Sequence, residues 1–111
     1  MRYANSSLLA LLLALAIPAA GAAGTAGTAE VAIRNYAFEP AELRVKAGTT
    51  VVWSNRERRV SHSIRFLGKD GFESERFFPD ESWQHTFTTP GTYAYSCGPH
   101  PEMHGTIVVG E

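Results

Sequence analysis

Thr89-Pro90-Gly91-Thr92-Tyr93-Ala94-Tyr95-Ser96-Cys97-Gly98-Pro99-His100-Pro101-Glu102-Met103-His104-Gly105 is the stretch from which the fold can be read. A Pro-Gly turn opens it, and Tyr93, Tyr95 and Cys97 then fall at alternate positions, so a strand carries two aromatics and a thiol on one face. The prolines and glycines that follow force a compact loop instead of a helix. Strand end and loop together hold the only cysteine, two of the four histidines and one of the two methionines in the chain. Thiolate, imidazole and thioether are the soft and borderline donors that suit copper or zinc, so this end of the strand reads as a metal site.

Outward from that loop the period of two persists. Val31 and Ile33, then Tyr36 and Phe38, then Leu43 and Val45, alternate with polar residues up to Lys46-Ala47-Gly48. Val51 and Trp53 lead to Asn55; Val60, His62, Ile64 and Phe66 share one face, with Ser61, Ser63 and Arg65 on the other. His62 is therefore expected to point inward. Phe72 to Phe78 reads as irregular between turns at Lys69-Asp70-Gly71 and Pro79-Asp80, and Trp83, His85 and Phe87 alternate toward the Pro-Gly turn. A last strand runs from Ile107 to Val109. The pattern predicts an all-β fold, a Greek-key β-sandwich of about seven to eight strands with no amphipathic helix.

Arg2 precedes an unbroken apolar run from Leu8 to Ile17, and Ala20-Gly21-Ala22 offers a small-residue cleavage site, so residues 1–22 read as a secretory signal peptide. The run is too short for a membrane span. Residues 23–29 are expected to form a flexible Gly/Ala/Thr tail and residues 30–111 a single domain. Without Arg2 the chain carries 9 basic and 11 acidic residues, a net charge of −2, which gives no nucleic-acid footprint. A lone cysteine in an exported domain cannot form an internal disulfide and is read as employed chemically.

Cys97-x2-His100-x2-Met103 places three ligand types on one short loop, and His62 is the inward histidine a neighbouring strand can bring to it. Two imidazoles and a thiolate with a weak axial thioether make an electron-transfer copper site. Cys97, His100 and His104 with His62 would instead make a closed tetrahedral zinc site. His85 reads as a core or edge histidine and Glu102 as a solvated loop residue.

The run Thr89-Pro90-Gly91-Thr92-Tyr93-x-Tyr95-x-Cys97-x-Pro99-His100-x-x-Met103-x-Gly105-x-x-Val108-Val109 resembles the C-terminal signature of the cupredoxins, the type 1 blue copper family. Phe38-x-Pro40, Val45-Lys46-Ala47-Gly48-Thr49-Thr50-Val51 and Trp53-x-Asn55 with His62 are similar to its earlier strands and first ligand. The gap between His100 and Met103 is similar to amicyanin, whereas plastocyanin-type loops are longer there. The resemblance implies His62, Cys97, His100 and Met103 as ligands of one copper ion, and makes His104 a solvent-facing residue. It also implies His100 as the port for electrons, set among Gly98, Pro99, Pro101 and Gly105, and a His100 that protonates when the metal is reduced. Three positions depart from the pattern: Ser63 stands where the family commonly has Asn, Ser96 where it has an aromatic or histidine, and Pro79-Asp80 where it has a Pro-Gly turn.

The expected function is that of a soluble periplasmic electron carrier, monomeric and not an enzyme, cycling Cu(II) and Cu(I) between larger redox proteins. By resemblance these are a dehydrogenase donor and a c-type cytochrome acceptor. The alternatives are a copper-delivery module and a zinc-stabilised structural domain. Arg56-Glu57-Arg58-Arg59 is either a solvated loop or a basic rim that steers an acidic partner.

Overall fold

The structure is a computed structural model that describes residues 26–111. The expected signal peptide at 1–22 lies outside the described residues. Eight strands follow in chain order: β1 (Thr28–Arg34), β2 (Ala37–Glu39), β3 (Glu42–Lys46), β4 (Thr49–Asn55), β5 (Arg65–Phe66), β6 (Ser82–Phe87), β7 (Gly91–Ser96) and β8 (His104–Gly110). They form two four-stranded sheets, β2-β1-β4-β6 and β3-β8-β7-β5. Both are mixed, because β1 pairs parallel with β4 and β3 parallel with β8. Among the described residues there is no helix, as the period of two requires.

Alternation decides which side chains meet between the sheets. In β4 every second residue, Thr49, Val51, Trp53 and Asn55, is buried. Val31, Ile33, Phe38, Trp53 and Phe87 from one sheet face Phe66, Tyr95, Ile107 and Val109 from the other. Aromatic rings join the layers: Trp53 meets Tyr95 edge-on at 5.4 Å and Phe38 meets Tyr95 at 4.8 Å. Such contacts are worth about 0.5–1.5 kcal/mol each beyond the area they bury. Gly105, opposite Tyr95 in the β7–β8 register, is the small residue this ring needs, since a Cβ there would overlap it.

Three local expectations are corrected. The flexible tail ends earlier than residue 29: Thr28 and Ala29 pair with Thr50 and Val51 in the parallel ladder, and the Gly27 carbonyl accepts the Thr50 N–H at 2.9 Å. Tyr36 does not share the inward face of Phe38. Asn35 and Tyr36 both have positive φ, 55° and 57°, and form the two-residue turn of the β1–β2 hairpin, whose left-handed pair matches strand twist. The segment from Val60 to Phe66 is a continuous strand only at Arg65–Phe66. Its earlier part is held by single bridges, His62 to Phe77 and Arg65 to Glu73.

Candidate metal centre

Two segments converge at one end of the sandwich. His62 is fixed from both sides of its backbone, its N–H donating to Phe77 O at 3.1 Å and its carbonyl accepting from Phe77 N at 2.9 Å. Behind it Asn55, buried at the end of β4, donates from Nδ2 to Val60 O at 2.8 Å and to Phe77 O at 3.1 Å. Its Oδ1 accepts the Glu57 N–H at 2.9 Å, an Asx-type turn that folds the 55–62 loop back on itself. The second segment leaves β7 at Ser96. Cys97 N–H donates to Met103 O at 3.2 Å and Met103 N–H to His100 O at 2.9 Å, so backbone bonds close the loop that Pro99 and Pro101 keep from becoming helical.

His62 Nδ1 and His100 Nδ1 each lie 3.5 Å from Cys97 Sγ. One donor atom from each of these three residues falls within 4.8 Å of the others. His62 and Cys97 are fully buried and His100 is half-buried. Met103, on the same loop, buries its side chain in the core beside them. His104 is exposed at the start of β8 and stands outside the donor group, as the resemblance implies. His85 is also outside it, half-buried on β6 and stacked on Trp83 with centroids 5.8 Å apart.

Burial pushes the Cys97 thiol up, with the Ser63 N–H, 3.5 Å from the sulfur, partly offsetting it. Burial likewise lowers the His62 imidazole, against the opposing influence of the nearby Glu57 carboxylate. A neutral His62 imidazole is the form a metal ion takes up, and the Cys97 thiol must lose its proton to join it. The His62 Nε2 is 3.3 Å from Glu57 Oε2, off the line of a good hydrogen bond, so this buried nitrogen has an anionic neighbour but no aligned acceptor. Two imidazoles, one thiolate and a neighbouring thioether at this end of the sandwich suit one copper ion.

Residues that strand parity does not single out also shape the site. Tyr36, carried on the β1–β2 turn, sets its half-exposed ring edge-on to His100 at 5.0 Å and to His62 at 6.1 Å. Its N–H donates to Glu57 Oε2 at 2.8 Å, so the carboxylate that lies beside His62 is held by the Tyr36 backbone. Ser63, expected on the outer face, is fully buried, because its hydroxyl turns to Glu73 and Gly98. Gly105 is buried under Tyr95 and so is not part of the rim around His100. Pro79-Asp80 does make a turn: Glu81 N–H donates to Phe78 O at 2.9 Å, and Asp80 takes the positive φ, 70°, that glycine would supply in a type II turn.

Comparison with known proteins bears on the same site. Residues 7–109 match the profile of the cupredoxin-like domain. Over 84 residues, 72% of this chain and 70% of the relative, the sequence is 38% identical to amicyanin-alpha of Methylorubrum extorquens. Over 83 residues it is 40% identical to amicyanin of Paracoccus denitrificans, with 71% of this chain but 63% of that protein's length covered. A solved amicyanin variant in its reduced Cu(I) form at pH 4 superposes with a TM-score of 0.70 at 38% identity, covering 80% of this chain and 89% of the other. The profile match across most of the chain and these identities place it, by descent as well as by fold, in the cupredoxin-like family.

Proposed function

We propose that the protein is a small exported electron carrier with one type 1 copper ion held by His62, Cys97, His100 and Met103. The observation that carries this reading is the convergence of two Nδ1 atoms, from separate segments, on one buried cysteine sulfur at 3.5 Å each. When bound, copper supplies a one-electron Cu(II)/Cu(I) couple.

The chain's own residues do the rest. Backbone bonds on both sides of His62 and across the Cys97–Met103 loop fix the donor set before metal arrives, so little rearranges when its charge changes. The buried pocket excludes water from Cys97 and His62, while His100, half-buried beside Tyr36 and the loop prolines, is where a partner comes nearest the donors. Four protein ligands leave no position for a substrate, in keeping with a carrier instead of an enzyme. The apolar leader supports export to the periplasm, and among the described residues no helix is long and apolar enough to cross a membrane. A dehydrogenase donor and a c-type cytochrome acceptor are the partner classes that follow from the family resemblance.

Cyclic voltammetry of the copper-loaded protein tests the carrier role. A reversible one-electron wave is expected, absent in Cys97→Ser. Rapid loss of the ion to a chelator with no such wave would make the protein a delivery module.

A further inference from the structure

Ser63 stands where the resemblance leads one to expect Asn, and the structure shows how its hydroxyl is used. Its hydroxyl donates to Glu73 Oε2 at 2.7 Å and accepts the Gly98 N–H at 3.1 Å. Its own N–H points at Cys97 Sγ, 3.5 Å away. Ser63 adjoins His62 and Gly98 adjoins Cys97, so this chain of bonds joins the two segments that bring the donors together.

A serine hydroxyl has a single proton and rotates freely, which makes it a poor strap unless something fixes the rotor. Glu73 does so. By taking the proton it fixes the rotor and leaves an oxygen lone pair for the Gly98 amide. Glu73 itself is held by backbone. The 72–77 segment runs antiparallel to 62–66, with Phe66 N–H donating to Phe72 O at 2.8 Å and Ser74 N–H to Ile64 O at 2.9 Å. Its bridges, His62 to Phe77 and Arg65 to Glu73, enclose three steps on one side (65 − 62) and four on the other (77 − 73), so the segment carries one extra residue. A bulge of this kind re-aims a side chain next to a functional site. Gly98 completes the fit, since a Cβ there would overlap the Glu73 carboxylate and come within 2.7 Å of Ser63 Oγ.

We infer that Glu73 is a positioning residue for the metal centre: its carboxylate fixes the Ser63 hydroxyl as the acceptor of the Gly98 amide and so locks the Cys97 loop to the His62 segment. The inference rests on the copper reading for its consequence but not for its test. Amide exchange by NMR in the metal-free protein reports the strap directly. Glu73→Ala and Ser63→Ala should each speed exchange at Gly98 by on the order of tenfold, the ratio expected for loss of one hydrogen bond. The double variant should be no faster than either single one. Glu73→Gln, whose side-chain carbonyl still accepts from Ser63, should restore exchange to within about twofold of the parent, because an uncharged acceptor fixes the rotor as well.

In copper-loaded protein, Glu73→Ala should shift the visible absorption band while Glu73→Gln leaves it in place. Unchanged Gly98 exchange in Glu73→Ala would overturn the inference. So would additive effects in the double variant, or a Gln variant as fast as Ala. A protein that binds no copper would remove the carrier reading and leave the exchange result standing on its own.

Discussion

Replacing Asn55 with Ala tests how the His62 side of the site is built. Asn55 is 1% exposed, and its side chain makes three hydrogen bonds, to Val60 O, Phe77 O and Glu57 N. At about 1 kcal/mol net for each, their loss should cost roughly 3 kcal/mol of folding free energy. The partners are not all stranded: Phe77 O still accepts the His62 N–H, and Val60 and Glu57 are only half-buried, so little further desolvation penalty is added. For a domain of this size the change corresponds to a fall in Tm on the order of 10–20 °C. Urea unfolding of the reduced, metal-free protein measures it, and the m-value should be unchanged. Asn55→Asp is the sharper control. It keeps the acceptor for Glu57 N but sets a carboxylate against two carbonyl oxygens, so it should be the less stable variant at neutral pH and recover as the buried acid protonates. A loss below about 0.5 kcal/mol in the Ala variant, the range of an ordinary surface change, would refute this account of the loop.

Three further outcomes are expected. Gly105→Ala should destabilise by about 1–3 kcal/mol in the same assay, since the new methyl meets the Tyr95 ring, which Phe38 and Trp53 hold in place. Burial lowers the folded-state pKa of both His62 and His85, so the unfolded chain binds more protons just below the ordinary imidazole value of about 6.5. Metal-free protein should therefore lose stability as pH falls through that window, and a flat profile between neutral pH and pH ~5 would contradict it. Arg56 is occupied by Glu30 at 2.8 Å, whereas Arg58 and Arg59 are exposed on the loop leading to His62. Neutralising these two should slow association with an acidic redox protein and flatten its dependence on salt, measured by stopped flow at several ionic strengths.

Much of this architecture was legible in the sequence because strands at a buried interface alternate strictly. Val51 and Trp53 could face only one way once their neighbours were polar, whereas His62, Ser63 and Ile64 are buried in succession, so His62 is turned inward by its backbone bonds to Phe77 and not by strand parity. What parity could not supply were residues placed by turns and by irregular chain. Tyr36 looked like a strand residue, but the Asn35-Tyr36 turn uses left-handed backbone without the glycine that usually announces it. Glu57 reaches His62 through the turn made by Asn55 Oδ1, a bond with no period to detect. Ser63 belonged to the outer face by alternation, yet the 72–77 segment, correctly read as irregular, lies along it and buries it. Thr28 and Ala29 were assigned to the tail because their composition carries no signal; backbone pairing to β4 needs none.

The claim beneath all of this is that Cys97, His62 and His100 hold copper as a type 1 centre, with Met103 and not His104 beside them. An absorption and EPR spectrum of the Cu(II)-loaded protein tests it most directly. The account predicts an intense blue thiolate-to-copper band with a narrow copper hyperfine splitting, abolished by Cys97→Ser and retained in His104→Ala. A colourless protein that takes up zinc in preference and fails to bind metal without His104 would contradict it.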